Sequence, residues 1–322
     1  MIRFDIHSLE QLLQGRHRRT VFGDEKIVSV TLYEEILALP DAEALSERIL
    51  LHFPDGRGAY RRTYTRRFEA FDAGVLAALA EAGLHGAEGA PLIVHDVGVS
   101  DARTSCDFFG KMLEREPHLV FHATDFDPEV FVIASGRTRV AIDAAQRLLE
   151  IVWPPFVFTV LNNGRLIQHA RYYLYPVNLV VMFFVERLVA RPMLALHRAG
   201  RLEARPLTLF SPRARALARA EPRFRLGKQD IREPFREPGR AALLRAMNVL
   251  NRSYFPEAEF RSILGNFHAA LRPGGLLVTG SNQASGSQVD GGIYRRTEAG
   301  FSPVRQSGGG SPIHGLIEAF AP

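Results

Sequence analysis

Apolar positions three and four residues apart recur over 8–14, 32–39, 41–51 and 71–82, which predicts a mostly helical region across residues 1–88. The period breaks at Gly86-Ala-Glu-Gly-Ala-Pro91, a short linker, and the next apolar run, 92–97, has the length of a strand. A helical pattern at 104–115 and a second strand-like run at 119–124, ending at Asp125, complete a strand–helix–strand unit. Strands alternating with helices predict a parallel α/β sheet with right-handed crossovers over residues 89–322.

Alternation stops after Asp125. Short β-like runs at 130–134, 139–142 and 148–152 are joined by turns such as Ser135-Gly136-Arg137. Runs 156–161 and 166–175, around Asn162-Asn163-Gly164, predict a further hairpin. With a helix expected at 177–199, residues 130–199 read as a β-rich plus helical insertion. The α/β pattern is expected to resume at 206–210, with a helix at 212–220 and an extended approach to Asp230. A strand within 241–250, a helix at 256–271, a turn at Pro273-Gly274-Gly275 into a strand at 276–279, and a closing hairpin from 294–296 and 301–306 follow.

The chain has 322 residues, 46% of them apolar, enough for a substantial core in one large domain or two smaller ones. Forty Lys and Arg against thirty-five Asp and Glu give +5, spread as arginines among carboxylates. That balance permits an acidic substrate and does not argue for a nucleic-acid partner. One cysteine, Cys106, excludes an internal disulfide and a multi-cysteine metal site, and no metal is expected; this fits a cytoplasmic protein. The start, Met-Ile-Arg-Phe-Asp-Ile-His, lacks the pattern of a secretion signal. The most apolar run, 178–185, ends at Glu186 and Arg187, well short of a bilayer span, so no stable membrane insertion is expected. A helix lying on a membrane surface at 177–199 is a weaker alternative, since few cations cluster on one face.

The richest stretch is Pro91-Leu-Ile-Val-His-Asp-Val-Gly-Val-Ser-Asp-Ala-Arg-Thr-Ser-Cys106, where a strand ends at Asp96-x-Gly98 and feeds a helix. Such a helix start offers backbone N–H groups to an anionic or nucleoside ligand, with Ser100, Asp101 or Thr104 as caps. Together with Ala123-Thr-Asp-Phe-Asp127, Gln229-Asp-Ile231, Met247-Asn-Val-Leu250 and Leu271-Arg-Pro-Gly-Gly-Leu-Leu277, it resembles the ordered motifs of class I S-adenosylmethionine-dependent methyltransferases. Within that superfamily the core motifs look most like the chemotaxis-receptor glutamate methyltransferases. The resemblance covers about 91–128 and 206–282. It departs from the common pattern where Ser100 and Ala102 stand in place of the second and third glycines of the first loop.

What the resemblance implies is an α/β, Rossmann-like methyltransferase sheet with a helical N-terminal cap, and S-adenosyl-L-methionine as cofactor. Asp96, Gly98, Ser100, Asp125, Phe126, Asp230, Ile231 and Asn248 would hold it. Gly98 would let backbone approach the methionyl part, and Asp125 would accept from both ribose hydroxyls. Asp230 and Ile231 would flank the adenine, and Asn248 would lie beside the sulfonium. The implied activity is methyl transfer to a small organic acceptor, on oxygen or nitrogen. A protein glutamate carboxylate is one alternative and a non-catalytic S-adenosylmethionine-binding protein is another. In-line displacement at an activated carbon needs no obligatory base; His95, His122, His169 and Tyr172 are candidates if one is used. The insertion would cover the acceptor with Tyr172, Tyr173 and Phe183, or form a homodimer interface.

Overall fold

The computed structural model describes residues 2–3, 6–14, 28–53, 67–159, 175–252, 254–282 and 288–322. In chain order the first elements are β1 (Ile2–Arg3), α1 (Leu9–Leu13), α2 (Tyr33–Ile36), α3 (Ala42–His52), α4 (Glu69–Glu81), β2 (Leu92–Val97), α5 (Arg103–Leu113) and β3 (Leu119–Asp125). Next come β4 (Glu129–Ser135), β5 (Thr138–Ile142), β6 (Leu148–Trp153), β7 (Phe156–Thr159), α6 (Tyr175–Val185), α7 (Arg191–Arg198) and β8 (Ala204–Thr208). The last are α8 (Pro212–Ala220), β9 (Phe224–Lys228), β10 (Ala241–Met247), α9 (Glu257–Ala270), β11 (Leu271–Asn282), β12 (Val289–Thr297), β13 (Gly300–Ser307) and α10 (His314–Glu318). The chain folds as two compact units, residues 1–62 with 129–212, and 63–128 with 213–322.

The first unit is built on an antiparallel sheet in the order β1-β7-β6-β5-β4-β8. Its strands alternate. Val130 and Val132 of β4 and Leu149 of β6 pack with Ile36, Leu45 and Ile49 of the N-terminal helices. Phe131, Ile133 and Ile151 face the other way, toward Met182, Val185 and Met193. Between α6 and α7 a single π-helical stretch, Glu186–Ala190, takes in one extra residue. The buried positions Met182, Val185, Ala190 and Met193 are therefore spaced three, five and three, which keeps both helices seated on the same face.

Two expectations change here. Residues 206–210 do not restart the parallel sheet, because β8 pairs antiparallel with β4 and buries Leu207 and Leu209 against the N-terminal helices. The N-terminal 62 residues group with the 129–212 segment, whereas α4 groups with the second unit, so the boundary expected near residue 88 falls inside that unit. The second arm of the expected 156–175 hairpin, with Asn162-Asn163-Gly164, lies outside the described residues.

The second unit carries the α/β pattern. Its sheet runs β13-β12-β11-β10-β2-β3-β9, with β9, β3, β2, β10 and β11 parallel and β12 and β13 added as an antiparallel meander. Leu244 and Ala246 face α9, where Phe260, Ile263, Leu264 and Phe267 form the core with Leu277 and Tyr294. On the opposite face Phe109 of α5 packs on Phe121 and Phe224, at ring separations of 5.7 and 5.1 Å. From β2 the chain winds outward through β3 to β9, then returns to place β10 on the other side of β2. The direction of winding reverses between β2 and β10, and a ligand crevice in such a sheet lies outside the carboxyl ends of the strands at that point.

Candidate functional site

The crevice floor is the loop after β2. Gly98 has φ +66°, Ser100 +58° and Ala102 +63°, so both residues that replace glycine keep the left-handed backbone for which glycine is suited. Ala102 also occupies the N-cap of α5, so none of Ser100, Asp101 and Thr104 is the cap residue; Asp101, one residue before it, accepts from the Arg103 N–H at 3.2 Å. Ser100→Gly and Ala102→Gly should each stabilise the protein by about 0.5–1 kcal/mol, the relieved backbone strain outweighing the lost chain stiffness. Urea midpoints of the two variants check this.

Gly98 also meets a close approach from within the protein. A Cβ at this position would overlap the side chain of Val249, which follows β10, so the close approach is protein on protein.

The loop is tied to β3. Val99 N–H donates to the Thr124 carbonyl (3.2 Å), and Ser100 N–H to Asp125 Oδ2 (2.7 Å); the other oxygen, Oδ1, accepts from Asp127 N–H (3.2 Å). Two backbone donors thus orient the Asp125 carboxylate at the carboxyl end of β3. Next to it, the Gln229 N–H donates to the Asp125 carbonyl (3.0 Å), which closes β9 onto β3 and carries Asp230 to the same edge. The Phe126 ring is partly exposed there, with the Arg232 guanidinium 5.1 Å and the Lys228 ammonium 5.9 Å from its centroid. Arg232 grips both Asp230 oxygens, at 2.9 Å from Nε and 2.6 Å from Nη2. Asp125, Phe126 and Asp230 are therefore brought together, but Asp230 is already engaged by its own neighbour.

Three other residues expected at the ligand have protein partners. Asp96 is 1% exposed, and its carboxylate accepts from Arg245 Nη1 (2.9 and 3.0 Å) and from the Ser105 hydroxyl (2.7 Å). Ile231 is packed in the α9 core, and its carbonyl accepts from Asn266 Nδ2. Asn248, at φ +60°, locks β10 to β11: its Oδ1 accepts from Asn282 N–H (3.0 Å) and its Nδ2 donates to Asn282 Oδ1 (3.3 Å). Each side chain is oriented by burial or strand-end hydrogen bonding, forces that local spacing does not reveal.

Arg245 is the residue that motif reading missed. It lies in the apolar run Ala241–Met247 and is fully buried, donating through Nη1 to Asp96 and through Nη2 to Asp72 of α4 (3.1 Å). Phe68 and Phe108 lie 5.0 and 4.9 Å from its guanidinium carbon. Burial pushes the Asp72 carboxyl above its ordinary range, with Arg245 pulling it back. A charged residue in a strand buried on both faces demands a partner carboxylate, and Asp96 one strand away was the available signal.

Two of the histidines considered as bases, His95 and His122, lie within the sheet. His95 stacks on His122 at 4.8 Å under the edge of Phe235, and its Nε2 is enclosed with no partner among the described residues. Burial, with His122 beside it, holds the His95 pKa down to about 3, and burial also lowers that of His122. Unfolded, His95 titrates near 6.5, so between pH 6.5 and 3 the unfolded chain binds more protons. The contribution of His95 is complete above pH 6.5 and is lost as pH falls, by about 2 kcal/mol at pH 5. Urea midpoints at pH 7 and pH 5 should show this loss, and His95→Leu should reduce it.

Phe183 is exposed on the outer side of α6, and no pocket surrounds it among the described residues of the first unit. Tyr172, Tyr173 and His169 lie outside the described residues. A cavity of about 250 Å³ runs along α4 and α5, lined by Arg67, Asp72, Cys106, Asp107, Lys111 and Arg213. Among its charges Arg213 is paired with Asp107 at 2.6 Å, Lys111 with Glu69 at 3.8 Å and Asp72 with Arg245 at 3.1 Å.

No family model matches this chain, and no curated protein matches it. Solved structures similar to it include the DszA carbon methyltransferase, at 13% identity and TM-score 0.36 over 80% of this chain and 49% of that one. Another is an amino pentose methyltransferase from Micromonospora echinaspora with S-adenosylmethionine bound (13%, TM-score 0.30, 75% and 68%). A third is a geranyl diphosphate C-methyltransferase from Streptomyces coelicolor with S-adenosylhomocysteine (12%, TM-score 0.30, 77% and 54%). The chain spans about half the length of the first and third.

Proposed function

We propose that this protein binds S-adenosylmethionine at the carboxyl ends of β2, β3 and β9 and is a methyltransferase acting on a small organic acceptor. The observation that carries the reading is the Asp125 carboxylate, held by the Ser100 and Asp127 N–H groups beside the reversal point of the sheet. A carboxylate at this position suits the two ribose hydroxyls, and the Phe126 ring beside it suits a purine face. Arg232 would then swing off Phe126 while keeping Asp230, or bring Asp230 with it. At the methionyl end Val249 fills the space in front of Gly98 and must turn aside.

The bound donor would supply a carbon activated by its sulfonium. The chain would supply position and exclusion of water, through the loop 98–102 and the start of α5. The reading assigns no side-chain base: His95 and His122 are packed within the sheet, and His169 and Tyr172 lie outside the described residues. Calorimetric titration with S-adenosylhomocysteine tests the site, and release of S-adenosylhomocysteine from the donor in a panel of alcohol, phenol and amine acceptors tests the activity. Wild type that takes up no ligand rejects the whole reading; binding without turnover across the panel favours a non-catalytic binding protein.

A further inference from the structure

On the outer side of α6, Val177, Leu179, Val180, Phe183, Phe184 and Leu188 are 42–70% exposed. Positions 177, 180, 184 and 188 form one helical stripe, with 179 and 183 beside it. The inner side of the same helix is fully used, with Met182 and Val185 seated on the sheet, so this second apolar face is not a core face turned out by a slipped register. Exposed apolar surface of this extent marks an interaction site.

We propose that this face docks on a membrane surface rich in anionic lipid. Charge points to that occupant. Residues 175–201 contain four arginines and one glutamate. Glu186 is bound to Arg191 at 3.2 Å, while Arg187, three and four residues beyond Phe184 and Phe183, is exposed and has no ion pair among the described residues. A second copy of the chain packed on this face would bury Arg187 against apolar side chains, with the neighbouring Glu186 already held by Arg191. An anionic headgroup layer supplies the missing charge. Shape agrees, because a single helix lying on a sheet is a ridge and not a groove that could receive a peptide, and a ridge with Phe and Leu on top and Arg at one end is the form that sinks into the headgroup boundary. Trp153, the chain's one tryptophan, is half exposed on the same face of the sheet, where it pairs in register with Phe156, which packs against the α6 cluster. Tryptophan is enriched at membrane–water interfaces. No helix among the described residues is long and apolar enough to cross a membrane, so the docking is peripheral.

Sedimentation with vesicles of phosphatidylcholine alone, and of phosphatidylcholine with 30% phosphatidylglycerol, tests this on the full chain. The expected result is binding to the anionic vesicles at least tenfold stronger than to the neutral ones, weakened by salt. Phe183→Ser with Phe184→Ser should reduce vesicle-bound protein at least tenfold, and Arg187→Gln about fivefold, with the far-ultraviolet circular dichroism and thermal midpoint of each variant unchanged. Wild type that stays in solution with both vesicles overturns the proposal, as does equal binding to both. So does a dimer by analytical ultracentrifugation that the double Phe variant dissociates, since the face would then be covered by a second copy.

Discussion

Asp125→Ala is expected to weaken S-adenosylhomocysteine binding at least about a hundredfold by calorimetry. Two charge-assisted hydrogen bonds to the ribose, at roughly 1.5–3 kcal/mol each, set that scale. The same substitution leaves the Ser100 and Asp127 N–H groups without the acceptor that joins the β2 loop to the end of β3, so a smaller loss of stability, about 1–2 kcal/mol, should accompany it. Asp125→Asn separates the two effects. It keeps one carbonyl oxygen for the loop and should restore most of the stability while recovering little of the affinity. Equal affinity in wild type and Asp125→Ala would remove the ribose assignment.

The largest expected effect on stability is at Arg245. Arg245→Met leaves Asp72 and Asp96 buried without their counter-charge, and losing one partner of a buried ion pair costs about 3–5 kcal/mol. That is a large fraction of the stability of an ordinary domain. The loss belongs to the stranded carboxylates more than to the missing contact. A triple variant, Arg245→Met with Asp72→Leu and Asp96→Asn, should therefore regain at least about 2 kcal/mol over the single variant, the Asn still accepting from the Ser105 hydroxyl. Guanidinium unfolding of the three proteins measures this. A triple variant less stable than Arg245→Met would show that the network is worth more than the burial of its charges.

Much of the second unit was legible in the sequence, because its information is local. The 92–97 and 119–125 strands are apolar runs flanked by turn residues, and the helices between and after them carry a clear 3.6-residue period. The closing hairpin was visible in the same way. In the first unit the short strands β4 to β7 and the helical stretch of α6 and α7 were legible in the same way. The assembly of the unit was not, since its sheet joins β1 near the N-terminus to β7, and packs the N-terminal helices on β4 and β8, through contacts between residues distant in the sequence, Ile2 with Phe158 among them. No local pattern marks β8 as the antiparallel partner of β4 in place of a strand of the parallel sheet.

The candidate site was legible to a different degree at each position. Asp125 and Asp230 reach one edge because they end neighbouring parallel strands, and that follows from the strand–helix–strand pattern. The orientation of Asp96, Ile231 and Asn248 depends on partners supplied by other strands and helices, Arg245, Asn266 and Asn282 among them, and spacing along the chain carries no trace of those. Ser100 and Ala102 show the reverse case. Neither residue type signals a left-handed backbone, yet the loop geometry imposes it on both.

The most direct measurement is a crystal structure of the protein with S-adenosylhomocysteine. The two ribose hydroxyls should lie within hydrogen-bond distance of the Asp125 carboxylate, the adenine against Phe126, and the sulfur at the carboxyl ends of β2 and β10. Density for the ligand anywhere else, or an Asp125 carboxylate that touches only Ser100 and Asp127 with the ligand bound, would contradict the proposed site.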